Sequence, residues 1–220
     1  LSAVFLATGF TLRDPVAIKR IPKVNDSTSL TMEVRMTMSD GQEGHITARM
    51  ADSVTAVDQA AGTYTILETE SDVTFNDAPV SSDSHTTQIQ KFTGEVISIT
   101  GDALGADPYR LQDLIQPYFP SAPLNVGDVF TQDIKSTNPG AVPIHVDGKL
   151  IALEKVGSFD TAKLEETVKE TGKARGSAHS FIWVNIADGA LVKQTADLTA
   201  VQLDSILITK GKMTLSRVKP

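Results

Sequence analysis

The sequence predicts a mainly β fold: a curved antiparallel meander, half-barrel or open barrel, packing one short central helix. Three observations predict it. Leu30, Met32, Val34, Met36 and Met38 alternate without a break with Thr31, Glu33, Arg35, Thr37 and Ser39. A side-chain period of two marks a strand with one face in a core and the other in water. The cadence returns along most of the chain, punctuated by Asp-Gly pairs at 40–41 and 188–189, which are strong hairpin signals. A helical period is convincing only once, where Leu111, Leu114, Ile115 and Tyr118 form a single apolar stripe.

The elements follow in order. A basic lead (Lys19, Arg20, Lys23) and an Asn25-Asp26-Ser27 turn precede the first strand. That turn also matches a glycosylation acceptor. The return strand after Gly41 places Ile46, Ala48, Met50, Val54 and Ala56 on one face. Tyr64, Ile66 and Leu67 open a third strand running towards Phe75, and 76–84 reads as an exposed loop. Residues 89–99 complete the N-terminal meander with a bulge near Gly94.

Asp107 then caps a helix with Pro108 in its favoured first position, and Pro117 and Pro120 end it. The helix has no other helix to bury against, so it must lie on a sheet. The second half has a strand entry at Val126-Gly127-Asp128, a loop at 136–142 and a long strand through Ile144, Val146, Leu150 and Ala152. Segment 160–172 fits a helix by its cap and Leu164/Val168 pair, but its place within a meander favours strand. The hairpin at Asp188-Gly189, taken as a two-residue turn, sets Ile186 opposite Leu191 and Trp183 opposite Gln194. Residues 206–218 form the last strand.

Segment 17–220 therefore reads as one β-rich domain. Two similar halves, 17–102 and 121–220 joined by helix 107–118, stay open as an internal organisation. The uncharged apolar stretch Leu1–Phe10, with small residues at Ala7 and Gly9, reads as the tail of a secretory signal or a disordered lead covering 1–16. It places the protein outside the cytoplasm, in the periplasm or at the cell surface.

Composition bounds the chemistry. The 220-residue chain is 40% hydrophobic and 21% charged, with net charge −7. That is ordinary globular composition, and the negative charge opposes a nucleic-acid partner. No cysteine is present, which removes disulfides, thiolate nucleophiles and thiolate metal sites. No apolar run is long enough to span a bilayer. His45, His85, His145 and His179 are far apart in sequence and lack helical metal spacing. Ser82-Asp83-Ser84-His85 juxtaposes hydroxyl, carboxylate and imidazole, but a nucleophile needs geometry and not adjacency. Asp52, Asp58, Glu68, Glu70, Asp72 and Glu165-Glu166 offer carboxylates for acid–base work without marking a preferred pair. The sequence predicts no catalytic residue, metal or cofactor.

Binding residues are easier to nominate. Met32, Val34, Met36, Met38 and Met50 fall on apolar faces of one hairpin, and methionine suits surfaces that accommodate varied ligands. With Leu111, Leu114 and Ile115 of the helix and Trp183 of the last hairpin, they are candidates to line an apolar cavity. Lys173 and Arg175, in a glycine-flanked basic segment, are candidates for an anion or a lipid head group. The alternative is a structural or protein-interaction module of the bacterial envelope with no small-molecule ligand.

The meander, the Pro-bounded helix, the Val126-Gly127-Asp128 strand entry and the long C-terminal hairpins resemble those of uncharacterised exported bacterial proteins. From Lys19 to Val218 the architecture is similar to the lipoprotein-carrier half-barrels of the LolA and LppX types. The resemblance implies a curved antiparallel sheet wrapped over an apolar cavity that holds a lipid or another amphipathic ligand.

Overall fold

A computed structural model describes residues 14–80, 83–102, 108–135, 138, 141–173, 175–203 and 206–218. The whole apolar stretch 1–10, Asp107 and Ser82 lie outside them. The N-terminal meander comprises β1 (Ser27–Met38), β2 (Glu43–Asp58), β3 (Thr63–Phe75), the two-residue β4 (Ala78–Pro79), β5 (Ser84–Lys91) and β6 (Val96–Gly101). The helix α1 (Pro108–Ile115) follows. The C-terminal meander comprises β7 (Val129–Ile134), β8 (Ile144–Val156), β9 (Phe159–Glu170), β10 (Ser177–Asn185), β11 (Leu191–Leu203) and β12 (Ile206–Arg217).

Among the described residues these strands form one 12-stranded antiparallel sheet, ordered β6-β5-β3-β2-β1-β12-β11-β10-β9-β8-β7, with β4 beside β3. The two meanders meet where β1 pairs with β12, from Leu30↔Arg217 to Met36↔Gly211. The sheet is not closed, and β6 and β7 stand at its edges. The mainly β class, the antiparallel meander and the single helix match the sequence expectation. Segment 160–170 is strand and 171–172 begin the turn after it, because β9 finds partners on both sides in β8 and β10.

Alternation assigns the faces. Leu30, Val34 and Met36 are buried while Thr31, Glu33 and Arg35 are exposed. On the inner face, Val34 and Met36 join Ile144, Val146, Val168, Ala196, Leu198, Ile208, Met213 and Leu215 in one core. Leu114 and Tyr118, both fully buried, press into it from the helix side. Each such side chain contributes roughly 1.5–3 kcal/mol on burial. A second cluster gathers Ile18, Phe119, Leu124, Leu150, Leu164, Ile182 and Val184. It fastens the lead and the stretch after α1 over the C-terminal meander, with Val16 bridged to Leu124.

Three local expectations change. The described helix, Pro108–Ile115, ends before 118, since Pro117 cannot donate to a further turn. Gly94 itself lies in the β5–β6 turn, with its N–H on the Lys91 carbonyl, and the irregularity expected near it is the β5–β6 register shift between Ile89 and Gln90. The β10–β11 connection spans 186–190, where Asn185 and Asp188 side chains cap turn amides. With a register shift at Trp183/Val184, Gln194 pairs with Ile182, and Trp183 pairs with Lys193. A one-residue slip moves a side chain to the other face. Trp183 accordingly lies on the outer face, its Nε1 donating to Glu154 and its ring flanked by Lys163 and Lys193 at 4.8 and 5.0 Å.

Two glycines let the covering segments approach the sheet. Gly94 has φ +99°, and an added Cβ would stand 2.2 Å from the Pro117 carbonyl oxygen. The Phe119 N–H donates to the Thr93 carbonyl beside it. Gly189 has φ +69°, and its Cβ would stand 2.3 Å from the Lys19 carbonyl oxygen. There the Ile21 N–H donates to the Asp188 carbonyl. A side chain at either position meets backbone on one side and a disfavoured conformation on the other. Gly94→Ala and Gly189→Ala are each expected to cost on the order of 3 kcal/mol, read as a lowered urea midpoint. Gly41→Ala, with open space around its Cβ, is expected to lose about 1 kcal/mol from backbone strain alone.

Candidate functional site

The helix packs on β9, β10 and β11 of the C-terminal meander and, through Tyr109, on β6 of the N-terminal one, and a cavity of about 120 Å³ opens beside it, lined from both meanders. Its floor is aliphatic: Leu30 and Met50 from β1 and β2, Leu191 and Leu215 from β11 and β12, with Ile115 and Phe119 overhead. Its walls are polar. Arg20 comes from the lead, Asp52 and Glu68 from β2 and β3, Gln88 and Gln90 from β5, Gln116 from the end of α1, and Gln194 from β11.

The hydrogen bonds around it are directional. The Tyr64 hydroxyl donates to Gln90 Oε1 at 2.8 Å, and Gln90 Nε2 donates to Gln88 Oε1 at 2.9 Å. Gln88 Nε2 in turn points to Glu68 at 3.5 Å. The relay of donors therefore ends on a carboxyl. Asp52 faces Glu68 across the β2–β3 ladder, and Glu70 is two residues further along the same strand. Burial and the nearby Asp52 and Glu70 charges push Glu68 up to about 8. Burial likewise raises Asp52 to about 6, moderated by Arg20. Arg20 donates to the Asp188 carbonyl and stands 5.5 Å over the Tyr64 ring.

A second acidic group holds the helix. Arg110 of α1 forms a bidentate pair with Glu170 of β9 at 2.6 and 2.7 Å. The Tyr118 N–H is shared between both oxygens of the wholly buried Glu166, and burial pushes that carboxyl up to about 8. Asp113 is raised to about 7 by burial and by the charges of Glu95 and Glu170. Gln194 Nε2 donates to the Ile115 carbonyl, satisfying an orphan acceptor at the helix end.

Of the nominated residues, Met50 and Ile115 line the cavity. Val34, Met36 and Leu114 are buried in the core, with Met32 and Leu111 packed against it. Met38 is half-buried near the β1–β2 turn. Trp183 is on the opposite face. Lys173 and Arg175 are exposed on the β9–β10 connection and do not line the cavity. The histidines stay apart: His45 meets Glu33, His85 meets Thr69, His145 meets Asp133 and Asp147, and His179 meets Glu165. Among the described residues no group of three or more metal-ligating side chains forms.

The polar wall carries a sequence signal of its own. Asp52 interrupts the apolar series Ile46, Ala48, Met50, Val54, and Glu68 extends Tyr64 and Ile66. Gln194 falls between Val192 and Ala196, and Glu166 between Leu164 and Val168. A polar residue in phase with an apolar alternation is bound inward by the pleat. No protein-family model matches the chain, and no curated protein matches it.

These raised carboxyls fix the sign of the pH dependence. A group that holds its proton more tightly when folded contributes stability that is complete below its unfolded pKa and is lost as pH rises through its folded pKa. Conformational stability should therefore fall as pH rises from 5 to 9, through the raised values of Asp113, Glu68 and Glu166. Urea denaturation across that range should show the decline, and Glu166→Gln should make it shallower.

Proposed function

We propose that this chain is a non-catalytic, extracytoplasmic ligand-binding domain that holds a small amphipathic molecule between α1 and the inner face of the sheet. One observation carries the reading. The cavity combines an aliphatic floor with buried polar atoms that lack partners, Gln116 Oε1 and Gln194 Oε1. Leaving a buried acceptor unmade costs about 1–3 kcal/mol, and a ligand that fills both needs recovers it. The volume, about 120 Å³, approaches that of the roughly 150 Å³ engineered cavity that accepts benzene. The part of a ligand that enters is a head group and a few carbons, whether it is a free small molecule or the end of a lipid. Export rests on the uncharged apolar stretch at 1–10. The likeness to lipoprotein-carrier half-barrels supports a carrier role.

A structural or interaction module of the envelope is the second reading. The open sheet with β7 at one edge favours it, together with Val126 and Val129, which are 55% and 69% exposed there.

Native mass spectrometry of protein from an exporting host, followed by organic extraction, separates the two. A ligand-binding domain gives a stoichiometric adduct, and Met50→Trp, which fills the floor, abolishes it while the circular dichroism spectrum is retained. A bare polypeptide mass that is unchanged after incubation with amphiphiles moves the assignment to the interaction module.

A further inference from the structure

We infer that the cavity selects a cationic head group, a small alkylammonium whose N–H donors meet the acceptors of Asp52, Glu68, Gln116 and Gln194 while its carbons lie on Leu30 and Leu215. The inference rests on the ligand-binding reading and specifies its chemistry. Among the described residues that line the cavity, the buried side-chain atoms without hydrogen-bond partners are all oxygens: Asp52 Oδ1, Gln116 Oε1 and Gln194 Oε1. Gln194 is wholly buried and Gln116 is 5% exposed, so bulk water does not reach these amides freely.

The amide orientations follow from their partners. Gln194 directs Nε2 at the Ile115 carbonyl, which can only accept, so Oε1 is the atom left over. Gln116 directs Nε2 at the Tyr118 hydroxyl, whose own proton is committed to the Asp113 carbonyl. Turning either amide would set two acceptors against each other. The acceptor character of the wall is therefore imposed by the backbone around it.

An ammonium has three donors and no acceptor, which matches this wall. A hydroxyl supplies one donor and brings lone pairs, and a carboxylate supplies none. The charge environment points the same way. Asp52 and Glu68 face each other with Glu70 beside them, and among the described residues Arg20 is the one basic side chain of the lining. Its guanidinium donates to the Asp188 carbonyl and lies over the Tyr64 ring, and its charge offsets only part of the rise at Asp52. A bound cation would relieve the repulsion between the two facing carboxyls and favour loss of the Glu68 proton. Affinity should thus rise with pH through the region near 8 where Glu68 ionises. An alkylammonium stays charged there, since a primary amine titrates near 10.4.

The test is an NMR titration of the full chain with n-pentylammonium, 1-pentanol and pentanoate, followed at the side-chain amides of Gln116 and Gln194. We expect the ammonium to bind at least tenfold more tightly than either of the others, with affinity increasing from pH 6 to pH 9. Glu68→Gln should bring the ammonium down to the level of the alcohol and flatten the pH profile. Asp52→Asn should weaken it severalfold and serves as the second variant should the first fold poorly. Equal or tighter binding of pentanol or pentanoate overturns the cationic head group and leaves the cavity reading standing. Absence of amide shifts with all three probes overturns both.

Discussion

The pairing of β1 with β12 is the constraint on which the rest of the molecule depends. Each meander is a set of local hairpins, but only this contact between the two ends of the sheet-forming chain makes them one surface. It is long and in register from Leu30↔Arg217 to Met36↔Gly211, and the Val218 N–H extends it to the Ser29 carbonyl. Leu30 and Leu215, from the two strands of this seam, both line the cavity floor. A shift of one residue would turn Leu30, Val34 and Met36 out of the core and remove the floor with them.

One eight-residue helix cannot cover a sheet of 12 strands. The fold resolves this by dividing the inner face. The C-terminal meander carries the large apolar clusters beneath α1 and residues 116–124, with Glu166 and Gln194 set among them, while β2, β3 and β5 carry Asp52, Glu68, Gln88 and Gln90 inward. The boundary between these regimes is where apolar surface and unsatisfied polar groups come together. Buried carboxyls that hold their protons let the structure tolerate acids at that boundary.

What was legible in the sequence was whatever local chemistry decides. Alternation in 30–38 gave the faces of β1 correctly because the pleat has a fixed period, and Leu114 and Tyr118 marked the buried stripe of the helix region. What escaped depended on nonlocal or conditional features. Trp183 was set on the wrong face because a longer turn and a bulge, invisible in an Asp-Gly pair, shift the β10–β11 register. Asp52 and Glu68 resembled solvated carboxylates, although their phase along the strand matched that of buried neighbours. Their facing each other depends on the bulged β2–β3 register, which no single strand encodes.

The seam also sets an order of events. Residues 27–101 contain every strand of the N-terminal meander, yet the partner of β1 begins only at Ile206. At roughly 5–20 residues per second, synthesis leaves the β1 edge without its partner for roughly 5–20 s after β6 is complete. Through that interval the open edge of β1, whose other edge is held by β2, carries three methionines, Met32, Met36 and Met38, and is a template for the wrong neighbour. β12 is the strand that ends the exposure, so a nascent chain halted before Ile206 keeps the hairpins of the N-terminal meander but lacks both the β11–β12 hairpin and this protection against self-association.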